Sequence, residues 1–139
     1  MVGIILVSHG ELASGLASSV SMICGPQEML KTISLQVGDD VDDLKEKIKD
    51  AIVEMNTQSE GDGVLILADV LGGSPSNAIA RSLYELGDKV KAECLTGANL
   101  SMLLEVVSSR GRLNLKELLA AGMQAGSSGI INLKERINY

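Results

Sequence analysis

Aromatic residues are nearly missing from this chain. Phenylalanine and tryptophan are absent, and Tyr84 and Tyr139 are its two benzenoid side chains. The formal net charge is −6. The chain therefore offers neither stacking platforms for single strands nor a basic stripe for phosphate backbones, which excludes nucleic-acid binding. Cysteine is limited to Cys24 and Cys94, in no metal-type spacing, and these read as reduced thiols of a cytoplasmic protein. With a single histidine, His9, the possible soft ligands are too few and too scattered for a tetrahedral site. Neither metal nor cofactor is expected. Long apolar runs are missing too. The run that begins at Val2 is too short for a signal peptide or a membrane span, and no cationic segment precedes it, so no membrane insertion is expected.

What is present is a globular composition, 45% hydrophobic and 22% charged, without linker, repeat or low-complexity stretch. Its length suits one domain over residues 1–139. Strand and helix signals alternate. "VGIILVS" is a short apolar run rich in β-branched residues, as a buried parallel strand requires. Leu12, Leu16, Val20 and Ile23 recur at helical spacing until Gly25-Pro26. "LKTISLQV" reads as a second strand. Asp39 or Asp40 then caps a helix with Val41, Leu44, Ile48, Ile52 and Met55 on one face. "GVLILAD" is a third strand, followed by Ser74 as an N-cap and Pro75 at the first helical position, with Ile79, Leu83 and Leu86 buried. "KVKAECL" reads as a fourth strand. A helix through Leu100, Leu103, Leu104 and Val107 ends at Gly111, and another carries Leu115, Leu118, Leu119 and Gly122. "GIINL" reads as a short antiparallel edge strand at the C-terminus. The fold class is α/β: three layers, a mostly parallel sheet with helices on both faces.

In such folds ligands bind beyond the carboxyl ends of the strands, where the strand order reverses. Two stretches lie there, Ser8-His9-Gly10 and Asp69 to Asn77. Asp69 is an acid at the end of an apolar run, so its carboxylate needs a partner. If the first and third strands are neighbours, that partner is His9. A carboxylate that accepts the Nδ1–H fixes the tautomer and leaves Nε2 as a nucleophile. Gly10 lets the chain turn into a helix whose N-terminus faces the crevice. The Gly72-Gly73-Ser74 turn can cradle phosphoryl oxygens with N–H groups and a hydroxyl. The chemistry that fits is transient phosphorylation of His9.

"VSHG", "DVLGGSPSN" and "GANLSML", in this order and spacing, resemble the mannose-family IIA proteins of the bacterial phosphoenolpyruvate-dependent sugar phosphotransferase system (mannose, fructose and sorbose types). The resemblance covers essentially the whole chain and implies a single IIA domain over residues 1–139. It makes His9 the residue phosphorylated on Nε2 and Asp69 its Nδ1 partner. Gly10, Leu71, Gly72, Gly73 and Ser74 fall around the phosphoryl group, and Ser8, Asn77 and Asn99 support the site. Asn99 also suits a helix cap, and Asn77 suits plain exposure. The phosphoryl donor implied is the phosphocarrier protein HPr. The acceptor is a IIB protein, expected as a separate chain because the sequence ends at Tyr139. A cytoplasmic homodimer that exchanges C-terminal strands at "GIINL" is implied as well. Ser8, Val70-Leu71 and Ser101 depart from Thr, Thr-Trp and Pro in many relatives, which bears on the sugar and not on the reaction.

Three other functions fit the sequence less well. A phosphocarrier subunit of a dihydroxyacetone kinase shares the strand-then-histidine start, but "GGSPSN" is not expected there. A histidine phosphatase or mutase needs a second histidine. A purely regulatory module lacks a nucleotide fingerprint, since neither a dinucleotide pattern nor a Walker lysine is present. The acidic balance suggests an acidic rim near His9 that attracts a basic partner.

Overall fold

A computed structural model describes residues 1–137; Asn138 and Tyr139, the end of the expected single domain, lie outside the described residues. The elements run β1 (Gly3–His9), α1 (Leu12–Cys24), β2 (Leu30–Leu35), α2 (Val41–Gln58), β3 (Val64–Ala68), α3 (Ser74–Leu86), a 3₁₀ turn (Gly87–Lys89), β4 (Ala92–Leu95), α4 (Leu100–Ser109), α5 (Leu115–Ser128) and α6 (Leu133–Ile137). The four strands form one sheet in the order β2-β1-β3-β4, with every pair parallel.

The period of two along β1 explains its unbroken apolar run. Ile5 and Val7 point into a core built with Leu44, Ile48 and Ile52 of α2 and Ile79 of α3. Ile4 and Leu6 point the other way, to Val20 of α1, Leu103 and Val106 of α4 and Leu118 of α5. Helices therefore cover both faces of the sheet. Side chains such as Ile48 and Leu103 have no solvent exposure, and each such burial stabilises the fold by about 2–3 kcal/mol. Asp40 caps α2, its carboxylate accepting the Asp42 and Asp43 N–H groups.

At the amino end of the strands, the buried Arg110 guanidinium reaches across from the end of α4. It donates to the carbonyls of Met29 (2.9 Å), Glu28 and Val2 (3.4 Å), and to Gln27 Oε1 (3.2 Å). Burial holds its pKa below the ordinary guanidinium value. This clamp ties the starts of β1 and β2 together, far from the carboxyl ends.

Several expectations are corrected. "GIINL" forms no strand: Gly129 closes α5 and the chain then enters α6. Asn132 accepts the Glu135 N–H through its side chain and the Arg136 N–H through its carbonyl, so local helix formation wins. The described sheet is accordingly all parallel, without an antiparallel edge strand. The fourth strand is shorter than its alternation suggests: Lys89 belongs to the 3₁₀ turn Gly87–Lys89, and the Lys91 N–H is taken by Asn56 Oδ1 (3.0 Å). In α1 the buried residues are Ala13 and Val20, while Leu12 and Ile23 face solvent. Val20 is buried and Leu16 packs against the core as the helical period predicts, and Ala13 takes the buried place expected of Leu12.

Candidate functional site

β1 stands at the point where the sheet reverses: the chain leaves it toward β2 on one side and returns to β3 on the other. The crevice beyond the carboxyl ends of β1 and β3 holds His9 and Asp69. His9 is the last residue of β1, in register with Leu35, and not a loop residue beyond it. The ladder continues one step past β3, since the Asp69 N–H donates to Val7 O (3.2 Å).

Asp69 is held from three directions. Its Oδ2 accepts the His9 backbone N–H (2.9 Å) and faces His9 Nδ1 at 2.6 Å, and its Oδ1 accepts the Val70 N–H (2.8 Å). Burial alone raises the pKa of this carboxyl. The hydrogen bonds from the His9 backbone, the His9 ring and Val70 outweigh that and hold it below the ordinary carboxylate value. An ionised carboxylate only accepts, so the ring proton sits on Nδ1 and a neutral ring keeps its lone pair on Nε2. The His9 side chain is 51% exposed while that of Asp69 is 9% exposed. The arrangement is a buried orienting anion under an accessible nucleophile.

The turn after β3 closes the other side. A Cβ on Gly73 would lie 2.8 Å from His9 Cε1 and 3.4 Å from Nε2, so only glycine lets the backbone pass this close to the ring. Gly72 has φ +87°, a conformation side chains disfavour. Gly73, not Ser74, is the N-cap of α3, and Ser74 and Pro75 are its first two residues. The N-cap role expected for Ser74 is thereby corrected. The Ser74 hydroxyl has no partner among the described residues and stays available to a ligand. The N–H groups of Leu71, Gly73, Ser74 and Ser76 likewise have no acceptor among the described residues. They open the N-terminal turn of a 13-residue helix, which favours an anion.

Other expected residues sit differently. The Gly10 N–H donates to Leu35 O (2.8 Å), so Gly10, at φ +53°, contributes the turn into α1 and not a free amide. Ser8 is buried, and its Oγ accepts the Ala13 N–H (2.8 Å), a cap for α1 supplied from the strand. Asn99 caps α4 through Met102 N–H (2.9 Å) and donates to Gly126 O (3.0 Å), so both ends of its amide serve the α4–α5 junction. Asn77 is exposed, and its backbone N–H donates to Gly73 O (3.0 Å). Ser76 was not singled out from the sequence. Its hydroxyl accepts the Gly72 N–H (3.0 Å) and donates to Gly73 O (3.1 Å). A polar residue at the third helical position reaching back toward the cap was the available signal, hidden by the usual preference for Glu or Gln there.

The exposed apolar side chains of Leu12, Val37, Val70 and Leu71 belong to the segments that leave the carboxyl ends of β1, β2 and β3. A shallow groove of about 250 Å³ runs from His9 past Leu35 to Val37. Asp39, Asp40, Asp42 and Asp43 start α2 directly after β2, at the same end of the sheet. This end of the sheet thus combines exposed apolar side chains with an acidic start of α2.

A family profile described as "PTS system fructose IIA component" matches residues 3–123. The chain is 34% identical over 119 residues to the PTS system fructose-specific EIIA component of Bacillus subtilis (strain 168), covering 86% of this chain and 77% of the relative. It is 32% identical over 136 residues to the PTS system mannose-specific EIIAB component of Escherichia coli (strain K12), covering 97% of this chain. It spans only 40% of the length of that relative. Among solved structures, the phosphotransferase system component EIIA from Streptococcus agalactiae superposes with a TM-score of 0.87 at 29% identity, covering 97% of this chain and 99% of that one.

Proposed function

We propose, from the premise that the chain belongs to the IIA family of the sugar phosphotransferase system, that it is a phosphoryl carrier working through His9. A phosphoryl group passes from phospho-HPr to His9 Nε2 and from there to a IIB component, driving uptake and phosphorylation of a sugar. The observation that carries this is the 2.6 Å contact between His9 Nδ1 and Asp69 Oδ2 beneath a half-exposed ring.

The step is a displacement at phosphorus. The Nε2 lone pair forms the new P–N bond, the bond from phosphorus to the donor breaks, and the donor group leaves with that electron pair. His9 becomes a phosphorylated cation, which the Asp69 carboxylate stabilises through Nδ1–H. The free N–H groups at Gly73 and Ser74 and the Ser74 hydroxyl suit the oxygens of the group in flight. Transfer onward to IIB is the same reaction run from the other side, so no cofactor takes part.

The apolar rim of Leu12, Val37, Val70 and Leu71 suits a surface that two partners occupy in turn. The same function places the protein in the cytoplasm as one IIA domain over residues 1–139. No helix among the described residues is long and apolar enough to cross a membrane. Self-association into a homodimer belongs to it as well. It is supported by the outer edge of β4, unpaired among the described residues, and by the exposed Ile130, Ile131, Leu133 and Ile137 beyond α5. Mannose and fructose, named for the relatives, are the first sugars to test.

The test is incubation with phosphoenolpyruvate, enzyme I and HPr. The protein is expected to gain one acid-labile, base-stable phosphoryl group, and His9→Gln none. A His9→Gln protein that still takes up the label overturns the assignment.

A further inference from the structure

We propose that Ser76 is a positioning residue for phosphoryl transfer, its hydroxyl locking the Gly72-Gly73 turn against the His9 ring. This rests on the phosphoryl-carrier function proposed above.

Two consecutive glycines are the most flexible dipeptide a chain can contain, yet here they form the wall against the reactive ring. A Cβ built on Gly73 falls 2.8 Å from His9 Cε1, so the backbone itself is what the ring meets. Something must hold that backbone. Gly73 has no side chain to do so, and as N-cap it makes no side-chain cap bond. Ser76 supplies the missing restraint. Its Oγ accepts the N–H of Gly72 at 3.0 Å and donates to the carbonyl of Gly73 at 3.1 Å. The two bonds bracket the peptide unit between these residues, one on each side. The Asn77 N–H adds a second donor to the Gly73 carbonyl at 3.0 Å. What lies inside the bracket is the Gly73 N–H, one of the amides left free to meet a phosphoryl oxygen.

The bracket also decides which amides are free. The Gly72 N–H is committed to Ser76, and those of Gly73 and Ser74 are not. Without the hydroxyl, the Gly72 amide competes for the same anion in a turn that samples several conformations. Preorganised donors lose their advantage when they must be ordered at the moment of reaction. Misplacement of a turn by a fraction of an ångström is felt mainly in the chemical step. Ser76 does not touch the reacting atoms; it acts through Gly72 and Gly73.

The experiment is rapid-quench phosphoryl uptake from purified phospho-HPr by wild type, Ser76→Ala and Ser76→Thr, with a thermal melt of each. Ser76→Ala is expected to lower the limiting single-turnover rate roughly tenfold while the half-saturating concentration of phospho-HPr stays within about twofold, because the docking rim is untouched. Ser76→Thr, which keeps the hydroxyl, is expected to recover most of the rate. Amide hydrogen exchange at Gly72 is expected to speed up in Ser76→Ala and not in Ser76→Thr. An unchanged limiting rate in Ser76→Ala overturns the proposal. So does a threonine variant that melts like wild type and transfers no faster than the alanine variant, or a loss confined to the half-saturating concentration of phospho-HPr. A wild-type protein that takes no phosphoryl group from phospho-HPr overturns the carrier function and this role together. An active wild type with an indifferent Ser76→Ala overturns this role alone.

Discussion

At the scale of single residues, the site depends on what Asp69 accepts and what Gly73 lacks. Gly73 has φ −82°, a backbone that any residue tolerates, so alanine there meets only a steric obstacle. Its Cβ meets His9 Cε1 at 2.8 Å. Gly73→Ala is expected to slow phosphoryl uptake by about a hundredfold with little change in Tm, as quench kinetics and a thermal melt will register. Asp69 sets the pH behaviour. Its folded pKa lies below the ordinary 3.8. The stability it lends is therefore complete above that value and is lost as pH falls through the depressed one. The His9–Asp69 pair is expected to persist in mildly acidic buffer and to separate only in strong acid. An Nδ1-sensitive ¹⁵N NMR titration that shows the contact breaking near neutrality contradicts this. The pairing of His9 with Asp69 was legible in the sequence because an acid ending an apolar strand demands a partner. Ser76 was not legible, because a serine early in a helix looks the same whether its hydroxyl meets solvent or the backbone behind it.

Elements were more legible than their edges. Four apolar runs and the helices between them follow from hydrophobic period and from Gly-Pro punctuation, and the buried faces of α2 and α3 lie where Ile48, Ile52 and Ile79 put them. The C-terminal segment departs from its strand-like composition because "GIINL" needs a partner to form a strand, while Asn132 offers a local helix start at once. Helix starts show a related effect in α1. Glu11 holds the N-cap position and makes no side-chain cap bond. The Ala13 N–H is met instead by Ser8 from inside the strand, at 2.8 Å. Ser8→Ala leaves that buried donor without its acceptor and is expected to cost about 1–2 kcal/mol, a drop of a few degrees in Tm. Ser8→Thr is expected to melt close to wild type. An alanine variant as stable as wild type removes the cap from the account.

At the scale of the molecule, the reversal of strand order at β1 concentrates function at one end and leaves the other to structure. Arg110 fastens the amino ends, and the crevice, the apolar rim and the acidic start of α2 gather at the carboxyl ends. Asp39, Asp40, Asp42 and Asp43 create a field on the approach to His9, with Arg81 neutralising only Asp42 (3.1 Å). Association with a basic donor is expected to slow several-fold between about 50 and 500 mM salt, as the Debye length shrinks well below 10 Å. Stopped-flow rates independent of salt dismiss that steering. The separation of the two halves of the site has one more result. His9 and Asp69 stand 60 positions apart, so the oriented imidazole does not exist on a nascent chain until β3 has emerged and zipped against β1. On the proposed function, competence to carry phosphate is expected to time the slowest kind of pairing in the chain, a parallel, long-range one. A refolding sample pulsed with phospho-HPr would report, in radioactive label, the moment its two central strands meet.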